Sequence, residues 1–260
     1  MKSVVFDLEL FEALNAEYVD KPLQPRAPSY VASELKARGN SRVRNLAKII
    51  NLSEKRVLEI GCGRGEVLAS LTTDYGCRCV GVDVSSYDEW DRHSEGGTVF
   101  LKADLTQDAT ALAKEKFDLV VSYAAWEHIV HPYSMLVRAY ELLESGGEMY
   151  FTANLHRGPK ASHRYREVFF PWPHLLFQDD VFEQFYLKHT GTVRRASWVN
   201  HLTAAHYLLY FEIIGFQRVS INYQKTPIDE NFYSRFEDVF SRYPRFDLER
   251  DFIKAHLRRS

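Results

Sequence analysis

The chain has 260 residues, 45% of them hydrophobic and 26% charged, and its 33 Lys and Arg against 35 Asp and Glu leave a formal net charge of −2. That composition can bury a full core, and the near balance of charge argues against the basic face of a dedicated nucleic-acid binder. There is no apolar stretch long enough to cross a bilayer, no secretory signal pattern at the N-terminus and no disulfide framework in three cysteines, so a cytoplasmic protein without a membrane partner is expected.

In chain order, residues 1–54 read as an N-terminal helical segment. Leu8, Leu10, Phe11, Leu14 and Tyr18 recur at near-helical spacing, a Pro-rich breaker follows over Lys21–Pro28, and two short helical patterns cover Ser29–Ala37 and Arg42–Ile50. Arg56–Ile60 has the apolar and β-branched content of a short buried strand. Gly61, Gly63 and Gly65 then permit a sharp turn and close approach of a ligand before a helix over Glu66–Tyr75. A strand, glycine turn and helix in that order present backbone N–H groups to a bound nucleotide. Dinucleotide loops carry G-x-G-x-x-G; this one is G-x-G-x-G with Glu59 two residues before the first glycine. An acid there repels a pyrophosphate but suits a cationic ligand, such as the α-amino group of S-adenosylmethionine (SAM).

Three more strands follow. Cys79–Val84 ends with Asp83, 18 residues after Gly65, where a carboxylate can accept both hydroxyls of a ribose. Thr98–Leu105 ends in Ala103-Asp104-Leu105, and Phe117–Tyr123 is the fourth strand. Helices are expected at Thr106–Lys116 and Tyr133–Glu144, the latter stopped by Gly146-Gly147, where the fifth strand opens. This alternation is the signature of a parallel sheet with helices on both faces. The pattern resumes with a helix at Asn200–Ile214 and strands at Phe216–Tyr223 and Asp251–Leu257.

At Glu59–Gly65 the chain resembles the class I SAM-dependent methyltransferases, whose first motif is (D/E)-x-G-x-G-x-G, and the order of strands repeats that family's pattern over about residues 55–155. The resemblance implies a Rossmann-like, seven-stranded, mostly parallel sheet closed by an antiparallel hairpin, and SAM as cofactor. It also implies a cofactor site formed by Glu59, Gly61, Cys62, Gly63, Gly65, Asp83, Val84, Asp104, Leu105, Ser122 and Tyr123. In it Asp83 takes the ribose, Asp104 accepts from the adenine amino group and Leu105 lies beside the ring. Residues 1–54 then become a helical cap on a domain over 55–260, either covering the cofactor or packing on the sheet edge.

Between Asn154 and Val199 the alternation breaks for roughly 45 residues, a length that marks a functional insertion. It holds Tyr165, Phe169, Phe170, Trp172, Phe177, Phe182, Phe185 and Tyr186, with His156, His163, His174 and His189. It reads as a substrate-covering insertion, since aromatic faces stack on rings and sugars; the alternative is a homodimer interface.

Methyl transfer from a sulfonium needs positioning and removal of a proton. The segment Ser122–Pro132 lies where the fourth strand delivers its end, and family members carry a His there, which makes His128 the candidate general base. Glu127 orients it or packs against the cofactor; Tyr123 and His156 are the other candidates, and His131 reads as a helix-entry residue. The Asn/Asp-Pro-Pro-Tyr of amide and DNA N-methyltransferases is absent. Ala124 stands where ubiquinone-pathway O-methyltransferases place a metal-binding acid, so no metal is expected, although Asp179 and Asp180 are carboxylates within the insertion. Cys77-Arg-Cys79 has no second ligand pair to make a zinc site. The expected activity is methylation of a hydroxyl, less favourably an amine, on a small molecule such as a sugar or natural-product intermediate. An RNA methyltransferase and a non-catalytic SAM-binding partner protein are the alternatives; an NAD-dependent reductase is opposed by the spacing of Gly65.

Overall fold

The computed structural model describes residues 5–23, 29–108, 110–163, 167–194 and 199–260. Strands β1 (Arg56–Ile60), β2 (Arg78–Asp83), β3 (Val99–Lys102), β4 (Phe117–Tyr123), β5 (Leu143–Asn154), β6 (Phe216–Lys225) and β7 (Arg250–Arg259) form a seven-stranded sheet in the order β3-β2-β1-β4-β5-β7-β6. The β1–β2, β2–β3, β1–β4 and β4–β5 pairs are parallel, with Glu59 opposite Gly81 on one side and Val121 on the other. The order reverses at β1/β4, the switch point outside which open α/β sheets bind ligands.

The main helices are α1 (Leu8–Glu17), α2 (Ala32–Leu46), α3 (Glu66–Tyr75), α4 (Glu89–Ser94), α5 (Pro132–Leu142), α6 (Pro173–Leu176), α7 (Asp179–Thr190) and α8 (Ala204–Ile214). Two compact units emerge. A sheet unit comprises Ser29–Ala153, Ala205–Asn222 and Lys254–Ser260; an aromatic unit comprises Met1–Pro28, Asn154–Ala204 and Tyr223–Ile253. Helices α1 and α2 therefore fall in different units.

In the sheet unit one face of the strands is covered by α2 and α3 through Val43, Leu46, Val57, Val67, Leu68, Leu71, Leu119 and Val121. Elsewhere in the unit Phe151 of β5 packs against Trp126 (ring centroids 5.2 Å apart) and against Tyr207 and Phe211 of α8, each at 5.7 Å. The two helical patterns expected on either side of Gly39-Asn40 are one continuous α2. Gly39 sits at the crossing with α3, where a Cβ would lie 2.2 Å from the carbonyl oxygen of Glu66. Beside it Asn40 accepts from the Ser70 hydroxyl at 2.7 Å, and the Arg38 Nε donates to Glu66 Oε1 at 3.0 Å. Gly39→Ala therefore sets about 1 kcal/mol of better helix propensity against a backbone clash. The clash is expected to win, lowering stability by about 1–3 kcal/mol in thermal unfolding. A stabilised variant would show that the helices part freely.

Two expected helices change. Among the described residues of 106–116 the chain forms turns and no helix, because Asp104 Oδ1 accepts from both the backbone and hydroxyl of Thr106, and Asp108 Oδ1 from Thr110 and the Ala111 N–H. Such local side-chain bonds compete with helix. The helix expected to run to Glu144 ends at Leu142: buried Leu143 is already extended and pairs with Phe117, and Gly146-Gly147 lie where the β4–β5 register shifts, so they serve a bulge and not a helix cap.

The aromatic unit overturns one reading of the insertion. Phe170, Trp172, Phe177, Phe182, Phe185 and Tyr186 are buried in the unit's own core with Phe11, Leu14 and Tyr18 of α1, and Phe169 packs against them. Phe11 alone meets Phe170, Phe177, Phe182 and Phe185 at centroid distances of 4.8 to 5.2 Å. Asn15 fixes α1 to this segment, donating to Glu167 O at 2.9 Å and accepting from Phe169 N at 2.8 Å. The buried rings among these are core and do not face a substrate, whereas Phe169 is half-buried; Tyr165 lies outside the described residues.

Candidate cofactor and active site

The glycine loop leaves β1 with Gly61 at φ 70° and Gly63 at φ 51°, both in the left-handed region. The N–H groups of Gly61 and Cys62 bond to Val82 O at 2.8 and 3.2 Å, which seats the loop over the end of β2. At Gly61 a Cβ would lie 2.3 Å from the Cβ of Ala125, so this glycine lets the segment after β4 close onto the loop. At Gly63 a Cβ would meet nothing within 4 Å: the loop backbone is bare on that side. Cys62 is buried and its thiol is pushed up by desolvation, so it is not a nucleophile.

Glu59 is 2% exposed at the end of β1, and its Oε2 has no hydrogen-bond partner. Desolvation, then the neighbouring charges of Glu66 and Asp83, raises its pKa well above the ordinary 4.5, with Arg42 opposing. A buried carboxylate oxygen without a donor is costly unless a ligand supplies one. Asp83 holds the loop directly, accepting from Gly63 N–H on Oδ2 at 2.9 Å and from Ser85 N–H on Oδ1 at 3.0 Å, and each oxygen keeps a second lone pair. Asp104 is half-buried, Leu105 is buried and Val84 is 65% exposed.

The fourth strand ends differently from the expectation for Ser122. That hydroxyl is fully buried and donates to Ile60 O at 2.7 Å, locking β4 to β1 and leaving it no role in presenting a donor to a ligand. Tyr123 has a buried, unpartnered hydroxyl and lies under the Arg42 guanidinium, 4.9 Å from its ring centre. Burial pushes this phenol up, so it holds its proton near neutral pH. Ala124 then takes φ 53° and turns the chain, with its N–H bonded to Thr152 O at 2.9 Å. A single 3-10 turn over Trp126–His128 follows, in which Trp126 and Glu127 are buried and His128 is exposed. His156 belongs to the aromatic unit.

Sequence reasoning missed Arg38 and Arg42. Spaced i, i+4 on α2, they reach Glu66 at 2.9 and 3.5 Å, next to the glycine loop. The basic pair in Arg38-Gly-Asn-Ser-Arg42 was the available signal, hidden by the break expected at Gly39-Asn40.

A glycine loop on the switch-point strand, a buried acid ahead of it and an acid closing the next strand define a nucleotide-cofactor α/β protein. Residues 31–221 match the family model described as a methyltransferase domain, and the chain belongs to that family, within the class I SAM-dependent methyltransferases. It is 30% identical over 162 residues to a ubiquinone biosynthesis O-methyltransferase of Cereibacter sphaeroides, covering 58% of this chain and 64% of the relative. The chain thus spans a little under two thirds of that curated relative's length. Two solved structures share the fold. An S-adenosylmethionine dependent methyltransferase from Mesorhizobium loti has a TM-score of 0.54 at 18% identity, covering 85% of this chain and 98% of its own. Magnesium protoporphyrin IX methyltransferase from Synechocystis PCC 6803, solved with bound SAH, has a TM-score of 0.50 at 15% identity, covering 98% and 100%. No helix among the described residues is long and apolar enough to cross a membrane.

The residues fit SAM, the cofactor of the class. Its methionine end carries an ammonium and a carboxylate, and the site offers an acid with an orphan oxygen, Glu59, beside a guanidinium, Arg42.

Proposed function

We propose that this protein transfers the methyl group of SAM to a hydroxyl group of a small molecule. The observation that carries the cofactor half is the desolvated carboxylate of Glu59, with one oxygen unpartnered, at the foot of a glycine loop whose backbone is bare at Gly63. In this reading Glu59 takes the ammonium and Arg42 the carboxylate of the methionine end, Asp83 accepts from the ribose hydroxyls, and Asp104 accepts from the adenine amino group with Leu105 and Val84 against the ring. Bound SAM supplies a sulfonium methyl, already activated for in-line displacement. His128, exposed at the turn after β4, accepts the proton of the acceptor hydroxyl, and buried Glu127 orients that turn. The hydroxyl half rests on kinship with O-methyltransferases at 30% identity. The buried rings of 154–199 have no part in it.

Calorimetry with SAM, against NADH as control, tests the cofactor half: one SAM site per chain is expected, with a thermal shift worth about 2.7 kcal/mol at a hundredfold excess over Kd. Absence of SAM binding overturns the reading. Labelled-methyl transfer to a panel of hydroxyl and amine small molecules and to RNA then tests the acceptor half, where methylation of RNA or of amines alone would replace it.

A further inference from the structure

Within the sheet unit the glycine loop is gripped from outside by the segment that follows β2. Gly63 and Arg64 are the central residues of a turn closed by the Gly65 N–H on the Cys62 carbonyl oxygen at 3.0 Å. The central peptide of such a turn has no partner inside it, and its carbonyl is the group that reverses when one turn type becomes another. Glycine opposes that reversal least, because it adopts both signs of φ. Its orientation is set from α4: the indole Nε1 of Trp90 donates to the Gly63 carbonyl oxygen at 2.7 Å, while Asp83 Oδ2 takes the N–H of the preceding peptide at 2.9 Å. Glu89, beside Trp90, pairs with the Arg64 side chain.

The indole is itself fixed. Trp90 is 8% exposed and stacks on Phe100 of β3, with ring centroids 5.0 Å apart at an interplanar angle of 11°. Phe100 fills the space that the glycines leave, since a Cβ at Gly65 would lie 2.7 Å from its ring and one at Gly81 2.8 Å. Packing of that kind is served by any flat apolar ring; what tryptophan adds at position 90 is one N–H, its whole polar capacity. In a trans peptide the N–H points opposite to the C=O. Anchoring the Gly63 carbonyl on Trp90 therefore aims the Arg64 N–H away from α4, and a loop that receives a ligand on its backbone N–H groups depends on where they point.

We propose that Trp90 is a positioning residue for the cofactor: its indole N–H holds the Gly63–Arg64 peptide in the orientation that receives SAM, so the loop is formed before SAM arrives. The inference rests on SAM as the ligand of this loop. A loop set in advance lowers the ordering cost of binding, and loss of one neutral hydrogen bond corresponds to about three- to tenfold in affinity.

The test is Trp90→Phe in the full chain, which keeps a ring on Phe100 and removes the donor. The calorimetric Kd for SAM, read well below the thermal midpoint, should rise about three- to tenfold. Benzothienylalanine placed at Trp90, with sulfur in place of the N–H, keeps the indole shape and should give the same rise even where the smaller ring disturbs folding. In the isotope-labelled wild-type chain the indole N–H signal that Trp90→Phe removes should resist solvent exchange before SAM is added and move little afterwards. A lowered thermal midpoint with the Kd for SAM unmoved in both variants marks a merely structural role and overturns the inference. So does a Trp90 N–H that exchanges as freely as an exposed indole in the SAM-free chain. A wild-type chain that binds no SAM overturns the proposed function and this inference together, whereas equal binding by wild type and variants overturns this inference alone.

Discussion

Replacing His128 by alanine is expected to lower turnover about 10²–10⁴-fold, the range for a positioned general base, while the Kd for SAM stays within a few-fold. The split follows from how the turn is built. Trp126, fully buried and packed on Phe151 at 5.2 Å, anchors the 3-10 turn, and Ala125 seats against Gly61, so packing ahead of His128 holds the segment in place. Removing that imidazole leaves the glycine loop, Glu59, Asp83 and Asp104 untouched. Steady-state kinetics at saturating SAM, beside calorimetric Kd values, check the split, and partial recovery of turnover by added imidazole would mark the loss as one of proton transfer. Turnover retained in the variant removes His128 as the base, and a matching loss of SAM affinity would make it a cofactor contact instead.

What could be read in advance divides along a physical line. The central strands are buried on both faces, so they appear as unbroken apolar runs such as Val57-Leu58 and Leu119-Val120-Val121, and the glycine loop must be glycine for steric reasons that any sequence shows. The acids at strand ends stood out because strand ends are where such sheets bind. The rest depends on partners distant in sequence. Aromatic side chains at 169–186 look the same in sequence whether they face a ligand or each other, and only the packing of Phe11 from α1 reveals a core. Ser122 reads as a polar residue at a strand end until the Ile60 carbonyl is seen beneath it. Arg42 acquires meaning only through neighbours distant in the sequence, Tyr123 beneath its guanidinium and Glu66 beside it.

Glu59→Gln is expected to act in opposite directions on binding and on stability. A hydrogen-bonded charge is worth about 1.5–3 kcal/mol, so loss of the carboxylate should weaken SAM binding about 10–100-fold. The cofactor-free protein should gain stability, because a desolvated charge facing Glu66 and Asp83 is replaced by a neutral amide. The pH dependence fixes the sign. Desolvation, then Glu66, raises the folded-state pKa of Glu59 above the ordinary 4.5, so the fold favours the protonated form. Its contribution to stability is complete below pH 4.5 and is lost as pH rises through the folded-state value, at about 1.4 kcal/mol per pH unit between the two. The advantage of the glutamine variant should therefore grow with pH across that window in denaturant titrations. Binding runs the other way: an ammonium needs the carboxylate, so SAM should expel the proton, and wild-type affinity should fall as pH drops below the cofactor-free value. Calorimetry in buffers of different ionisation enthalpy would read that proton directly, and Glu59→Gln should show none. Equal SAM affinity in the two proteins at neutral pH would mean that Glu59 does not hold the ammonium and that its buried oxygen serves the loop alone.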